Sequence, residues 1–235
     1  MLRKCLLALG VSVLLGMLSG TFLQRHALAC ELLPVLDYQQ LRSSVYAEPG
    51  MSAEQAALLT GLLELAFDRI EALYGTPVSA PRFIITSNAE SALAWGANET
   101  ASMHRLPWRS CIVIGPKGQN VDVVAHEWLH AEIQQRVGFM RLLKEIPVWF
   151  DEGAALTVDH RAPFLPENIE LTAAEVHDVT KRASARAFFS GDIRSHYQAA
   201  RLAVEPLIVP EQFYADLGRI AAGESFAQVF LSEQQ

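Results

Sequence analysis

Residues 126–130 read His-Glu-Trp-Leu-His. On a helix, residues four apart are separated by about 40° in projection and sit one turn apart on one face. His126 and His130 can therefore offer two neutral imidazoles to one divalent cation, at ~2.0–2.1 Å if the ion is Zn²⁺. Glu127 projects about 100° from His126 and about 60° from His130. It flanks such an ion without ligating it, where a general base for the attacking water is needed. Trp128 points away and, with Val124 behind it, can anchor the helix in the core. Histidine is scarce, with seven in 235 residues, so composition explains the pair poorly. A chance match to this pattern is expected in fewer than about 1% of chains of this length.

A catalytic zinc site needs a third protein ligand and one open position. A histidine six residues after His130, with glycine at the third, would serve, but Ile133 and Arg136 stand at those places. Glu132 projects about 200° from His130 and faces away. That leaves Glu152, in Ile146-Pro147-Val148-Trp149-Phe150-Asp151-Glu152-Gly153-Ala154-Ala155. Pro147 suits the opening of a helix. Gly153, Ala154 and Ala155 are small enough to let this helix approach the first closely, and Trp149 and Phe150 can fix its angle. Glu152 is the expected third ligand; Asp151 is the neighbouring carboxylate that could be mistaken for it.

The elements that must position these groups are legible in outline. Asn120 is a good N-cap and Asp122 favours the positive end of a helix that runs to about Val137 and stops at Gly138. Upstream, Ser52 with Gln55 forms a capping box, and Leu59, Leu63, Ala66, Ile70 and Leu73 repeat at helical spacing before Gly75. Arg82–Thr86 and Ser110–Ile114 are β-rich runs bounded by turn residues. Residues 88–109 read as irregular and 160–195 as loops and short helices. Two further helices are expected at about 195–208 and 210–222, closed by Pro210 and Gly223. Few strands followed by many helices give an α+β layout, a small mixed sheet with a mostly helical C-terminal half.

The start of the chain reads as an address. Arg3 and Lys4 precede an apolar run from Cys5 to Leu23, and Ala27-Leu28-Ala29 places small residues where a signal peptidase cuts. Residues 1–29 are expected to be a signal peptide, or else an uncleaved N-terminal anchor, with residues 30–235 forming one exported domain, periplasmic or secreted. A membrane tether could run through residues 5–23 or through a lipid on Cys30. In an oxidising compartment Cys30 and Cys111 could pair. Three cysteines exclude a four-cysteine zinc site and a disulfide-rich mini-fold. A net charge of −7 argues against non-specific nucleic-acid binding. Nothing in the sequence indicates an oligomeric state.

H-E-x-x-H followed by P-x-W-F-x-E-G-x-A resembles the gluzincin metallopeptidases, and most of all their small peptidase MA-like domains. The resemblance is strong over residues 120–156 and departs at Leu156, where thermolysin-like enzymes carry an aspartate four residues past the third ligand. It implies a zincin-like fold, Zn²⁺ held by His126, His130 and Glu152, Glu127 as base, and a peptide or unfolded-protein substrate. It also implies a donor to the tetrahedral oxyanion from a later helix. Ser195-His196-Tyr197-Gln198 heads such a helix, with Tyr197 the expected donor and His196 the alternative. By the same likeness, the strand Cys111–Ile114 would be a sheet edge that pairs with extended substrate. Glu99, in Gly96-Ala97-Asn98-Glu99-Thr100, is weighed as an anchor for a free α-amine, with a polar loop the better reading. His104, His160 and His177 have no partner at ligand spacing. The functions in view are a zinc peptidase, another zinc amide hydrolase, and a non-catalytic module on the same fold.

Overall fold

The computed structural model describes residues 25–232. Most of the expected signal, residues 1–24, lies outside the described residues. The fold is α+β, with a five-stranded mixed sheet in the N-terminal half and a mostly helical C-terminal half. The strands are β1 (Gln39–Arg42), β2 (Val45–Ala47), β3 (Arg82–Ile85), β4 (Ala101–Leu106) and β5 (Arg109–Ile114), in spatial order β1-β2-β3-β5-β4. β2, β3 and β5 run parallel, and β1 and β4 flank them antiparallel.

Alternation along the strands sends side chains to two different cores. Phe83, Ile85, Ile112 and Ile114 face the main core beneath α2 (Ala53–Tyr74) and α4 (Val121–Val137). Tyr46, Ile84, Cys111 and Val113 face a smaller cluster on the outer side, covered by α1 (Arg25–Cys30) and α3 (Ala89–Ala94). Cys30 and Cys111 form a disulfide that joins α1 to the interior strand β5. α2 starts at the expected capping box, with Ser52 Oγ accepting from Gln55 N and Gln55 Oε1 from Ser52 N. Its stripe Leu59, Leu63, Ala66 and Ile70 is buried against the sheet and α4.

Three expectations need correction. Residues 88–109 are not irregular: Asn88 caps α3, and β4 follows. β4 was hidden because its inner residues Ser102, Met103, His104 and Arg105 are all half-buried, so no apolar alternation marks it. For the same reason β5 is not the sheet edge. It pairs with β3 on one side and β4 on the other, leaving β4 as the edge. Finally, a short helix α5 (Phe139–Glu145) fills the expected loop between α4 and α6 (Val148–Ala155), with Pro147 as the N-cap of α6.

The C-terminal half adds α7 (Ala173–Val179), α8 (Ala185–Phe188), α9 (Ile193–Val204) and α10 (Pro210–Ala222). α9 begins two residues before the expected position, capped by Asp192, whose side chain accepts from Ser195 N. It packs along α6 at very short range. A methyl group added at Gly153 would lie 2.4 Å from the carbonyl oxygen of Ala200 and 2.7 Å from Val204 Cγ1. The small residue therefore admits α9, rather than the first motif helix as the sequence suggested. Among the described residues no helix is long and apolar enough to cross a membrane.

Candidate metal centre

Asn120 starts α4 as expected, its side-chain oxygen accepting from Val123 N. The helix is buried on most sides, and Trp128 packs edge-on against Phe67 and Phe83. This fixes the rotation of the helix, so His126 and His130 turn toward α6, where Glu152 meets them. Trp149 and Phe150, 3% and 0% exposed, seat α6 in an aromatic cluster with Phe226 and Phe230.

Three atoms converge. His126 Nε2 and His130 Nε2 lie 3.2 Å apart. Glu152 Oε2 stands 3.5 Å from the first and 3.4 Å from the second. Ligands held at ~2.0–2.1 Å by a tetrahedral ion are separated by about 3.3 Å, so the triangle has the dimensions of three corners of such a site. Glu152 Oε2 is buried and has no hydrogen-bond partner. A buried carboxylate oxygen without a donor is costly; a cation between it and the two imidazoles removes that cost. The residues present fit a divalent metal, and this His-His-Glu group is positioned to hold one. A two-nitrogen, one-oxygen set suits zinc.

The far side of each imidazole faces a second carboxylate. His130 Nδ1 lies 3.0 Å from Asp151 Oδ1, and His126 Nδ1 lies 3.5 Å from Asp159 Oδ2, though neither pair is aligned as an ideal hydrogen bond. A carboxylate beside Nδ1 keeps the proton there and leaves the Nε2 lone pair facing the centre. Each carboxylate is in turn held by an arginine. Arg105 Nη2 donates to Asp151 Oδ2 at 2.6 Å, from the edge strand β4. Arg161 grips both oxygens of Asp159, with Nε at 2.8 Å from Oδ1. Burial alone would raise Asp159, but the bonds from Arg161 and the neighbouring His126 ring hold its carboxyl well below the usual range.

Glu127 lies next to the triangle and lines the same cleft, of about 700 Å³, with His126, His130, Glu152, Arg105 and Tyr197. Burial pushes its carboxyl up, and the nearby imidazoles offset this only in part. Tyr197 projects from α9 with its ring 6.4 Å from that of His126. Burial, together with the nearby Glu152 and Glu127 carboxylates, pushes its hydroxyl far above the ordinary tyrosine range, so it remains a neutral donor. The far wall of the cleft is apolar, formed by Leu142, Leu143, Ile146, Val148 and Phe189.

The sequence-derived residues therefore divide cleanly. His126, Glu127, His130, Glu152 and Tyr197 are brought together. His196 is not; its Nδ1 is 2.7 Å from the Phe188 carbonyl. Glu99 is paired with Lys117 Nζ at 2.5 Å and does not line the cleft. Glu132 faces away as expected, accepting from the backbone N–H of Val78 and Ser79 and from Arg136. His104 is half-buried, bonded to the Trp95 carbonyl and stacked on His26. Asp159, Arg161 and Arg105 were not foreseen. Asp159 belongs to no fixed spacing, and its one clue is an acidic residue closing the apolar stretch Leu156-Thr157-Val158. No protein-family model matches this chain, and no curated protein or solved structure shows detectable similarity to it.

Proposed function

We propose that this chain is an exported, zinc-dependent peptidase of the gluzincin kind, acting on peptides or unfolded protein. The observation that carries the reading is the triangle of His126 Nε2, His130 Nε2 and Glu152 Oε2, 3.2–3.5 Å on a side, with Glu127 and Tyr197 opening onto the same cleft. Zn²⁺ bound there supplies a Lewis acid that polarises the scissile carbonyl and acidifies water. Glu127 takes the proton of the attacking water on its carboxylate and hands it to the leaving amine. The Tyr197 phenol donates to the oxygen on which negative charge develops. Asp151 and Asp159 hold the two imidazoles in the ligating tautomer. The free backbone edge of β4, which borders the cleft through Ala101, Ser102 and Met103, suits an extended substrate chain.

Export is supported by the basic start and apolar run of residues 3–23 and by the Cys30–Cys111 disulfide, a bond that persists in oxidising compartments.

The test pairs elemental analysis with peptide-library cleavage, for the wild type and Glu127→Gln. About one zinc per chain is expected in both, with cleavage by the wild type alone and none after chelation. Zinc-loaded wild type that hydrolyses only small amides would point to another amide hydrolase. Wild type purified without zinc would point to a non-catalytic module.

A further inference from the structure

Taking the zinc peptidase reading above as its ground, we infer that Arg105 is a positioning residue: it locks the open edge of β4 to the metal ligand His130, acting through Asp151. β4 pairs with β5 on one side, and among the described residues no strand flanks its other side. Gly115 N donates to the Thr100 carbonyl at 2.8 Å, and Thr86 N, on the far side of β5, to the Ile114 carbonyl at 3.0 Å. The bonded pairs of the β4–β5 ladder therefore fall on alternate residues, at Ser102–Val113 and His104–Cys111. The backbone groups of Met103 and Arg105 are left turned to the open edge. Their side chains line the cleft, while His104 between them faces the outer layer and bonds to the Trp95 carbonyl. One residue, Arg105, thus presents its backbone where an extended chain can pair and its side chain toward the metal centre.

Side chains, not a second strand, set the distance from this edge to α4. Arg105 Nη2 donates to Asp151 Oδ2 at 2.6 Å, and Asp151 Oδ1 stands 3.0 Å behind His130 Nδ1. Arg105 Nη1 reaches Gln134 Oε1 at 3.4 Å. Gln134 lies one turn beyond His130 on α4. It is 5% exposed and donates through Nε2 to the Leu106 carbonyl at 2.8 Å. The path from His130 through Asp151 and Arg105 to Gln134 returns to the helix it left, so the His130 ring and the end of β4 are held as one unit.

Stability does not account for the pair. Side-chain exposure is 22% for Arg105 and 12% for Asp151. Two charges taken this far out of water lose much of their attraction to desolvation, and an apolar pair of the same volume would stabilise the fold about as well. An apolar pair would lack direction. The charge-assisted bond from Arg105 fixes which oxygen of Asp151 faces the imidazole, and thereby the ring whose Nε2 faces the centre.

The test reads zinc binding and backbone exchange and needs no turnover. Zinc affinity, from chelator competition, should fall about tenfold in Arg105→Met and recover in Arg105→Lys, which returns a cation to Asp151. Packing alone would be served equally by both long side chains, so equal affinities in the two variants would overturn the assignment. In an Asp151→Ala background, Arg105→Met should cost nothing further; a second tenfold loss would place Arg105 outside the Asp151 path and overturn it as well. Hydrogen exchange reads the edge itself. Zinc should slow exchange over residues 101–106 by at least about fivefold in the wild type, and the difference should vanish in Arg105→Met. Exchange indifferent to zinc in the wild type, or zinc protection that survives the substitution, would break the link between edge and ligand. Arg105→Gln takes the place of the methionine variant if that one does not fold. Wild type that binds no zinc would overturn the peptidase reading and this role together, whereas zinc binding indifferent to residue 105 would overturn this role alone.

Discussion

Asp151 stands 3.0 Å behind the Nδ1 of His130, while its chain neighbour Glu152 places Oε2 3.4 Å from the Nε2 of the same ring. Two consecutive carboxylates thus face opposite edges of one imidazole. They do so because the middle of α6 lies beside α4: one residue reaches around the ring and the next reaches the centre. The arrangement separates the two acids by role. Asp151 Oδ2 is held by Arg105 and its Oδ1 lies behind the His130 ring, whereas Glu152 Oε2 faces the Nε2 atoms of both imidazoles.

Replacing Asp151 by Ala should therefore weaken zinc binding without removing a ligand. A loss of about 10–100-fold in affinity is expected, measured by competition with a chromogenic chelator. Glu152→Ala should abolish stoichiometric binding under the same conditions. Equal effects from the two variants would show that the roles assigned here are wrong.

Tyr197 lines the cleft beside His126 and is not one of the three converging ligand residues. Tyr197→Phe should reduce kcat by about 10²–10³-fold, the usual cost of an oxyanion donor, with KM and zinc content little changed. Steady-state kinetics on one cleaved peptide, with zinc analysis of the same sample, checks both halves. His196→Ala should leave kcat near the wild-type value, since that ring is bonded to the Phe188 carbonyl.

The position of Tyr197 depends on Gly153, which lets α9 lie against α6. In Gly153→Ala the new methyl would collide with the Ala200 carbonyl, so the helices must part. A stability loss of about 1–3 kcal/mol is expected, read from denaturant unfolding. Turnover should fall further than zinc affinity does, because α4 and the Glu152 end of α6 are seated independently by Trp128, Trp149 and Phe150.

Alkaline pH should unfold the protein through its buried tyrosines. Burial pushes the Tyr74 hydroxyl up to about 12, against an ordinary value near 10, even though Thr157 bonds to it. Below pH ~10 both folded and unfolded chains hold the proton, and the contribution of Tyr74 is intact. Between about pH 10 and 12 the unfolded chain releases it and the folded chain does not, so stability falls as pH rises, by up to about 2–3 kcal/mol. Tyr214, also raised by burial and by the nearby Glu132, acts in the same direction. Ultraviolet titration should show late phenol ionisation that coincides with loss of ellipticity; early ionisation of all five tyrosines would contradict it.

What could be read from residues alone is whatever obeys local periodicity. The 100° step of a helix places His126, Glu127 and His130 relative to one another before any tertiary contact forms. Caps at Ser52 and Asn120 mark where helices begin because their side chains satisfy amides three residues away. Glu152 was reachable by elimination and by the small and aromatic residues around it. The rest is non-local. β4 became an edge strand only because β5 had a second partner, and its half-polar sequence carries no alternation to announce that. Asp159 reaches His126, and Arg105 reaches Asp151, across 33 and 46 residues of chain with no fixed spacing. Gly153 serves a helix that lies more than forty residues further on. Periodicity fixes the direction of a side chain within its own element; which partner stands opposite is decided only when the elements pack, and that is where the imidazoles acquired their carboxylates and the cleft its phenol.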